Sequence, residues 1–75
     1  MVIDKRLTAD RIYRLMVGAG MSNADLAEKL GVSAMAVWKW LNAKSLPSLE
    51  NIAGMCGIFS VEIGEIVAMK LEKAA

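Results

Sequence analysis

Residues 23–42 read NADLAEKLGVSAMAVWKWLN, and the fold turns on how this stretch is parsed. Leu26, Ala27 and Leu30 recur at three- and four-residue spacing, which places them on one face of a helix. Ser22 precedes that helix and Asp25 lies three residues further on, so Ser22-Asn23-Ala24-Asp25 approximates a capping box. Gly31 follows Leu30 directly, where a helix end favours a residue that tolerates positive φ. Ser33 then offers a second cap, and Val37, Trp40 and Leu41 form a second apolar stripe. Two amphipathic helices joined only by Gly31-Val32-Ser33 cannot lie side by side in parallel. They must cross steeply, which is a helix-turn-helix arrangement.

Working outward, Thr8 reads as the cap of a first helix running to about Val17, with Ala9, Ile12, Leu15, Met16 and Ala19 on or near its inner face and Arg11 and Arg14 outside. Gly18-Ala19-Gly20 ends it. Residues 1–7 form a short leader in which Lys5 and Arg6 are the notable charges; a basic arm of this kind can touch a groove or a phosphate, but a solvated terminus suffices for two charges. Beyond the motif, Pro47 stops the second motif helix. Ser48 caps a fourth helix from Leu49 to about Gly57, and Gly57-Ile58-Phe59-Ser60 is read as a turn. A fifth helix is expected from Val61 to about Lys73, with Ile63, Ile66 and Val67 inward. Gly54 and Gly64 each weaken these last two helices by about 1 kcal/mol relative to Ala. The expectation is one all-α domain over 1–75, a compact five-helix fold with its motif at 23–42.

Seventy-five residues suit one modest core, and at this size dimerisation or a ligand often adds stability. Apolar residues make up 56% of the chain, yet no uninterrupted apolar run approaches the ~20 residues a bilayer-spanning helix needs. The start, Met-Val-Ile-Asp-Lys-Arg, shows no signal-peptide h-region, and the single cysteine, Cys56, has no internal partner, so a reduced, cytoplasmic chain is expected. Histidine is absent. Zinc sites and histidine-based catalysis therefore have no constellation to build on, Gly18-Ala19-Gly20 is no phosphate loop, and neither an enzyme nor a cofactor is expected. The formal net charge is only +1. Its distribution is uneven: Lys5, Arg6, Arg11, Arg14, Lys29, Lys39 and Lys44 fall in the first 44 residues, which are net positive, while residues 45–75 are net negative. The positive half is the one that carries the motif, as phosphate contact would require.

The motif resembles the lambda repressor/Cro type (xenobiotic-response-element-like) helix-turn-helix family. Ala27 stands where the family keeps a small residue so that the second helix can approach. Gly31 follows four residues later, Val32 packs beside the turn, and Val37 and Trp40 take the buried positions of the second helix. The wording PSLENIAGM at 47–55 also resembles the family's entry into its fourth helix, and the likeness extends over about residues 8–68. An ordinary helical hairpin is the bland alternative.

The resemblance implies double-stranded DNA as partner, with residues 34–42 as a recognition helix in the major groove and a homodimer on a palindromic operator. Carried over by position, Ser33, Ala34, Met35, Trp38 and Lys39 face the bases, and the helical wheel independently leaves 34, 35, 38, 39 and 42 on the outer side. Lys39 can donate to guanine O6 or N7, whereas Ala34 and Met35 offer only apolar contact, for example to a thymine methyl. Here the chain departs from the family, which often carries amides or other polar side chains at these two positions; DNA shape would then share the readout. Phosphate contacts fall to Asn23 at the start of the first motif helix and to Asn42, Lys44 and Ser45 beyond the second. Each is alternatively a solvated turn residue, and Trp38 is alternatively core. The fifth helix, with Phe59, Val61, Ile63 and Ile66, is the candidate dimer surface; its bland role is closing the core, and the two are compatible. The competing reading is a protein-interaction module on the same fold, an antitoxin or adaptor, using an apolar Met35/Trp38 face.

Overall fold

The computed structural model describes residues 1–72. Its elements in chain order are β1 (Val2–Ile3), α1 (Lys5–Ala19), α2 (Asn23–Leu30), α3 (Ala34–Leu41), α4 (Leu49–Phe59), a single 3-10 turn (Ile63–Glu65) and β2 (Met69–Lys70). The class is all-α, as expected, but with four α-helices among the described residues rather than five.

Each of the four helices opens on a side-chain oxygen that satisfies a free first-turn amide, an arrangement that stabilises by about 1 kcal/mol per cap. Ser22 Oγ accepts from Asp25 N–H at 3.1 Å while Asp25 Oδ2 accepts from Ser22 N–H at 2.9 Å, which completes the capping box. Ser33 Oγ accepts from Ala36 N–H at 3.1 Å, and Ser48 Oγ from Asn51 N–H at 3.1 Å. Gly20 and Gly31 terminate α1 and α2 at φ 67° and 70°, a conformation that glycine adopts without the clash a Cβ would introduce.

The core joins all four helices: Ile12 and Met16 from α1, Leu26 and Ala27 from α2, Val37 and Trp40 from α3, and Ile52 and Met55 from α4, closed by Ile66. The apolar stripes inferred for the motif are therefore the buried ones, with Leu30 and Leu41 half-buried at the margin. Helix α4 comes so close to α2 that a Cβ on Gly54 would stand 2.7 Å from Leu30 Cδ2. Gly54 is thus a packing residue, and its cost in helix propensity is the condition for that approach. The same helix extends two residues past Gly57, to Phe59, and ends at Ser60 in the left-handed region (φ 55°).

Two expectations are corrected, and one contact explains both. The cap of α1 is Asp4, whose Oδ1 accepts from Leu7 N–H at 3.0 Å; Lys5, Arg6 and Leu7 form the first turn of the helix and no solvated leader. Thr8 is instead buried, and its Oγ1 accepts from Ala68 N–H at 3.0 Å. Asp4 N–H in turn donates to the Ala68 carbonyl at 2.8 Å, and β1 pairs antiparallel with β2, Val2 opposite Lys70 and Ile3 opposite Met69. The backbone groups that a fifth helix would use internally are committed to the N-terminal segment. In the 3-10 turn Glu65 Oε2 accepts from Glu62 N–H at 2.7 Å; Ile66 is still helical in φ and ψ, the Ile66 and Val67 N–H groups both donate to the Ile63 carbonyl, and the chain pairs as a strand at Met69–Lys70. Lys73, the expected end of the fifth helix, lies outside the described residues.

Candidate nucleic-acid interface

Helix α3 is eight residues long and splits cleanly by face. Val37 is fully buried and Trp40 is 5% exposed, both in the core. On the other side Ala34 and Lys39 are exposed, Met35 is 60% exposed and Trp38 is 45% exposed. Trp38 is therefore a surface residue and does not fold back into the core. Ser33 is exposed too, but its hydroxyl oxygen is engaged as the cap.

The motif's turn brings the start of α2 against this face. Asn23, Ala34, Met35 and Trp38 together line a shallow, open concavity of about 340 Å³. One candidate phosphate ligand and three candidate base-contacting residues, separated by up to 15 positions in the chain, thus share one surface. The concavity is walled largely by apolar groups, which can make van der Waals contact but few directed hydrogen bonds, while the exposed Lys39 carries the one ammonium donor on this face of α3.

The second set of candidate phosphate contacts lies at the other end of α3. Asn42 caps the helix: its backbone N–H donates to the Trp38 carbonyl at 3.0 Å and its Nδ2 donates to the same oxygen at 2.9 Å. One of the two amide protons of its side chain is thereby occupied by the helix itself. Ala43 then turns the chain at φ 54°, an unusual angle for a residue with a Cβ, and Lys44 N–H closes on the Lys39 carbonyl at 2.9 Å. The turn leaves Lys44 exposed and Ser45 half-buried. Asn23 and the Asn42–Ser45 group therefore flank α3 at opposite ends, an arrangement suited to gripping backbone on either side of a groove.

The structure adds to this surface a residue that the sequence leaves open between a basic arm and a solvated terminus. Arg6 Nη2 donates to the Asn42 carbonyl at 3.3 Å, across 36 positions of chain. Recognising Asp4 as the cap would have set Arg6 in the first turn of α1. Arg11, by contrast, is drawn away, with Nη1 on the Gly64 carbonyl at 2.9 Å. Among ionisable groups Asp25 stands out, held below its ordinary range by the Ser22 backbone N–H, then by the Ser22 hydroxyl, with Lys29 assisting. It is fully exposed and serves to start α2. No cluster of potential metal ligands occurs among the described residues, and no described helix is long and apolar enough to cross a membrane.

Comparison with known proteins agrees with this geometry. The helix-turn-helix family profile matches residues 11–66. The HTH-type transcriptional activator BcrR of Enterococcus faecalis is 32% identical over 59 residues, covering 79% of this chain but only 29% of the activator. A transcriptional regulator from Listeria innocua superposes with a TM-score of 0.80 at 23% identity, over 99% of this chain and 66% of that one, a likeness of fold. The chain thus spans less than a third of the activator's length and about two thirds of the regulator's.

Proposed function

Because the chain belongs to the lambda repressor/Cro-like helix-turn-helix family of DNA-binding transcription regulators, we propose that α3 enters the major groove of an operator and that two copies read it about a two-fold axis. The observation that carries the reading is the division of α3, whose Met35, Trp38 and Lys39 point outward while Val37 and Trp40 anchor it to the core. Lys39 donates to a guanine, Ala34 and Met35 pack on thymine methyl groups, and Ser33 and Trp38 border the groove. Asn23, Asn42, Lys44 and Ser45 hold the phosphates and set the register. Specificity on this account is weighted towards methyl contacts and duplex shape, since one lysine supplies the hydrogen-bonded readout. The work is recognition, with no catalytic step and no cofactor.

The dimer contact needs a different surface from the one expected. Ile66 is fully buried in the core, so the patch of Phe59, Val61, Ile63 and Ile66 cannot serve as a whole. Ile63 remains half-exposed and borders an apolar concavity of about 250 Å³ with Ile3, Leu46, Leu49, Ile52 and Val67. Leu49, 72% exposed, is a projecting apolar side chain beside an apolar hollow, which is a self-complementary pair under two-fold symmetry.

A second reading is supported by the apolar Met35/Trp38 concavity, which also fits a protein partner, as in an antitoxin or adaptor. Selection from a random duplex library at low and moderate salt separates the two. An enriched palindrome establishes the two-fold regulator. Salt-sensitive retention without enrichment reduces the function to generic DNA binding, and no retention transfers the Met35/Trp38 face to a protein partner.

A further inference from the structure

The N-terminal segment, which its sequence leaves as a solvated leader, is fastened at three points. Strand β1 pairs with β2, Asp4 N–H donates to the Ala68 carbonyl at 2.8 Å, and the buried Thr8 Oγ1 accepts from Ala68 N–H at 3.0 Å. The first turn of α1 is therefore held in place by the far end of the chain. Arg6 belongs to that turn, and its Nη2 meets the carbonyl of Asn42 at 3.3 Å. The carbonyls at the end of α3 carry the negative pole of the helix, which favours a cation there. A guanidinium has five N–H donors, and this contact uses one of them while the side chain remains exposed.

We infer that Arg6 is a phosphate ligand, parked at the end of the recognition helix by the Asn42 carbonyl and completing the group formed by Asn42, Lys44 and Ser45. The inference rests on the DNA-binding reading and names a contact which that reading does not contain. Its chemistry is that of a planar fork presented to phosphodiester oxygens; arginine suits this because two parallel N–H donors can meet two oxygens. The position is fixed by backbone bonds on both sides of Asp4, so less conformational freedom is lost on binding than for an arginine on a free arm. The C-terminal strand acquires a function by the same route, because the Ala68 contacts set where Arg6 stands.

Arg6→Gln tests the assignment, because glutamine keeps a donor for the Asn42 carbonyl while removing the charge. Affinity for a duplex is measured for wild type, Arg6→Gln and Arg6→Lys between 50 and 200 mM salt, alongside thermal melting. One phosphate contact contributes about 0.9 to the slope of log K against log salt, so over this range the wild type loses about 3.5-fold more affinity than Arg6→Gln. The expected result is that shallower slope for Arg6→Gln, equal on selected and random duplexes, with a wild-type slope for Arg6→Lys and an unchanged melting temperature. An unchanged slope in Arg6→Gln, with or without a lower melting temperature, overturns the inference and leaves Arg6 as a cap of α3. Absence of any salt-dependent binding by the wild type overturns the DNA reading itself, and the inference with it.

Discussion

Replacing Thr8 by valine removes one oxygen from the interior and little else. Thr8 is 1% exposed and Ala68 is 3% exposed, so water cannot substitute when the Ala68 N–H loses its acceptor at 3.0 Å. A buried donor left without a partner costs about 1–3 kcal/mol, and the isosteric methyl leaves no cavity to add to it. For a domain of 60–100 residues each kcal/mol shifts the melting temperature by roughly 4–8 °C. At ~2 kcal/mol Thr8→Val should therefore melt about 8–16 °C below wild type in thermal denaturation followed by circular dichroism. Thr8→Ser keeps the acceptor and deletes one methyl, which costs about 0.8 kcal/mol by transfer, so it should be the milder variant. Hydrogen exchange supplies the local readout, with the Ala68 amide protected in wild type and in Thr8→Ser but not in Thr8→Val. A Thr8→Val melting temperature at or above that of Thr8→Ser would refute the reasoning, because the hydroxyl would then be only a helix-start oxygen that tertiary structure does not use.

Three further outcomes are expected. Ser60→Gly should raise the melting temperature in the same assay, by up to about 12 °C. The left-handed conformation at φ 55° costs a residue with a Cβ about 1–2 kcal/mol, against about 0.5–1 kcal/mol for glycine's extra chain entropy. Asp25 has its folded-state pKa lowered, so its contribution is fully present above its unfolded value and is lost as pH falls through the folded one. Melting between pH 7 and pH 2.5 should accordingly show a smaller acid-induced drop in Asp25→Asn than in wild type. Leu49→Lys places a charge at the proposed two-fold contact on a side chain that is 72% exposed, so the monomer should fold unchanged while dimerisation, read by sedimentation, weakens at least tenfold; a lysine variant that dimerises like wild type would remove this surface from consideration.

The central motif could be read from sequence because its determinants are local. Ser22, Gly31, Ser33 and Ser48 act within four residues of themselves, and the stripes Leu26-Ala27 and Val37-Trp40 repeat at the helical period. The ends of the chain are not legible in this way, because their structure is decided at a distance. Asp4 and Thr8 are both competent helix caps, and only the burial of Thr8 against Ala68 tells them apart. Ile63, Ile66 and Val67 repeat at a helix-like spacing, yet the chain there makes only a single 3-10 turn before β2, and the residues that bury are Ile66 and Ala68. A short apolar run supports both periods, and long-range backbone hydrogen bonds choose between them. The candidate interface divides in the same way. The outward set on α3 follows from the wheel, whereas the proximity of Asn23 to Ala34, Met35 and Trp38, and of Arg6 to Asn42, exists only once α1, α2 and α3 are packed.

The central claim, that the outer face of α3 meets duplex DNA, is tested most directly by backbone and indole NMR shifts during titration with a selected duplex. The two tryptophans are an internal pair, since Trp38 is 45% exposed on the proposed contact face and Trp40 is 5% exposed in the core behind it. The account predicts large shifts at residues 33–39, at Asn23 and at 42–45, with the Trp38 indole moving and the Trp40 indole nearly still. Shifts concentrated on another surface, such as the exposed Tyr13 and Val17 of α1, with Trp38 unmoved, would contradict it.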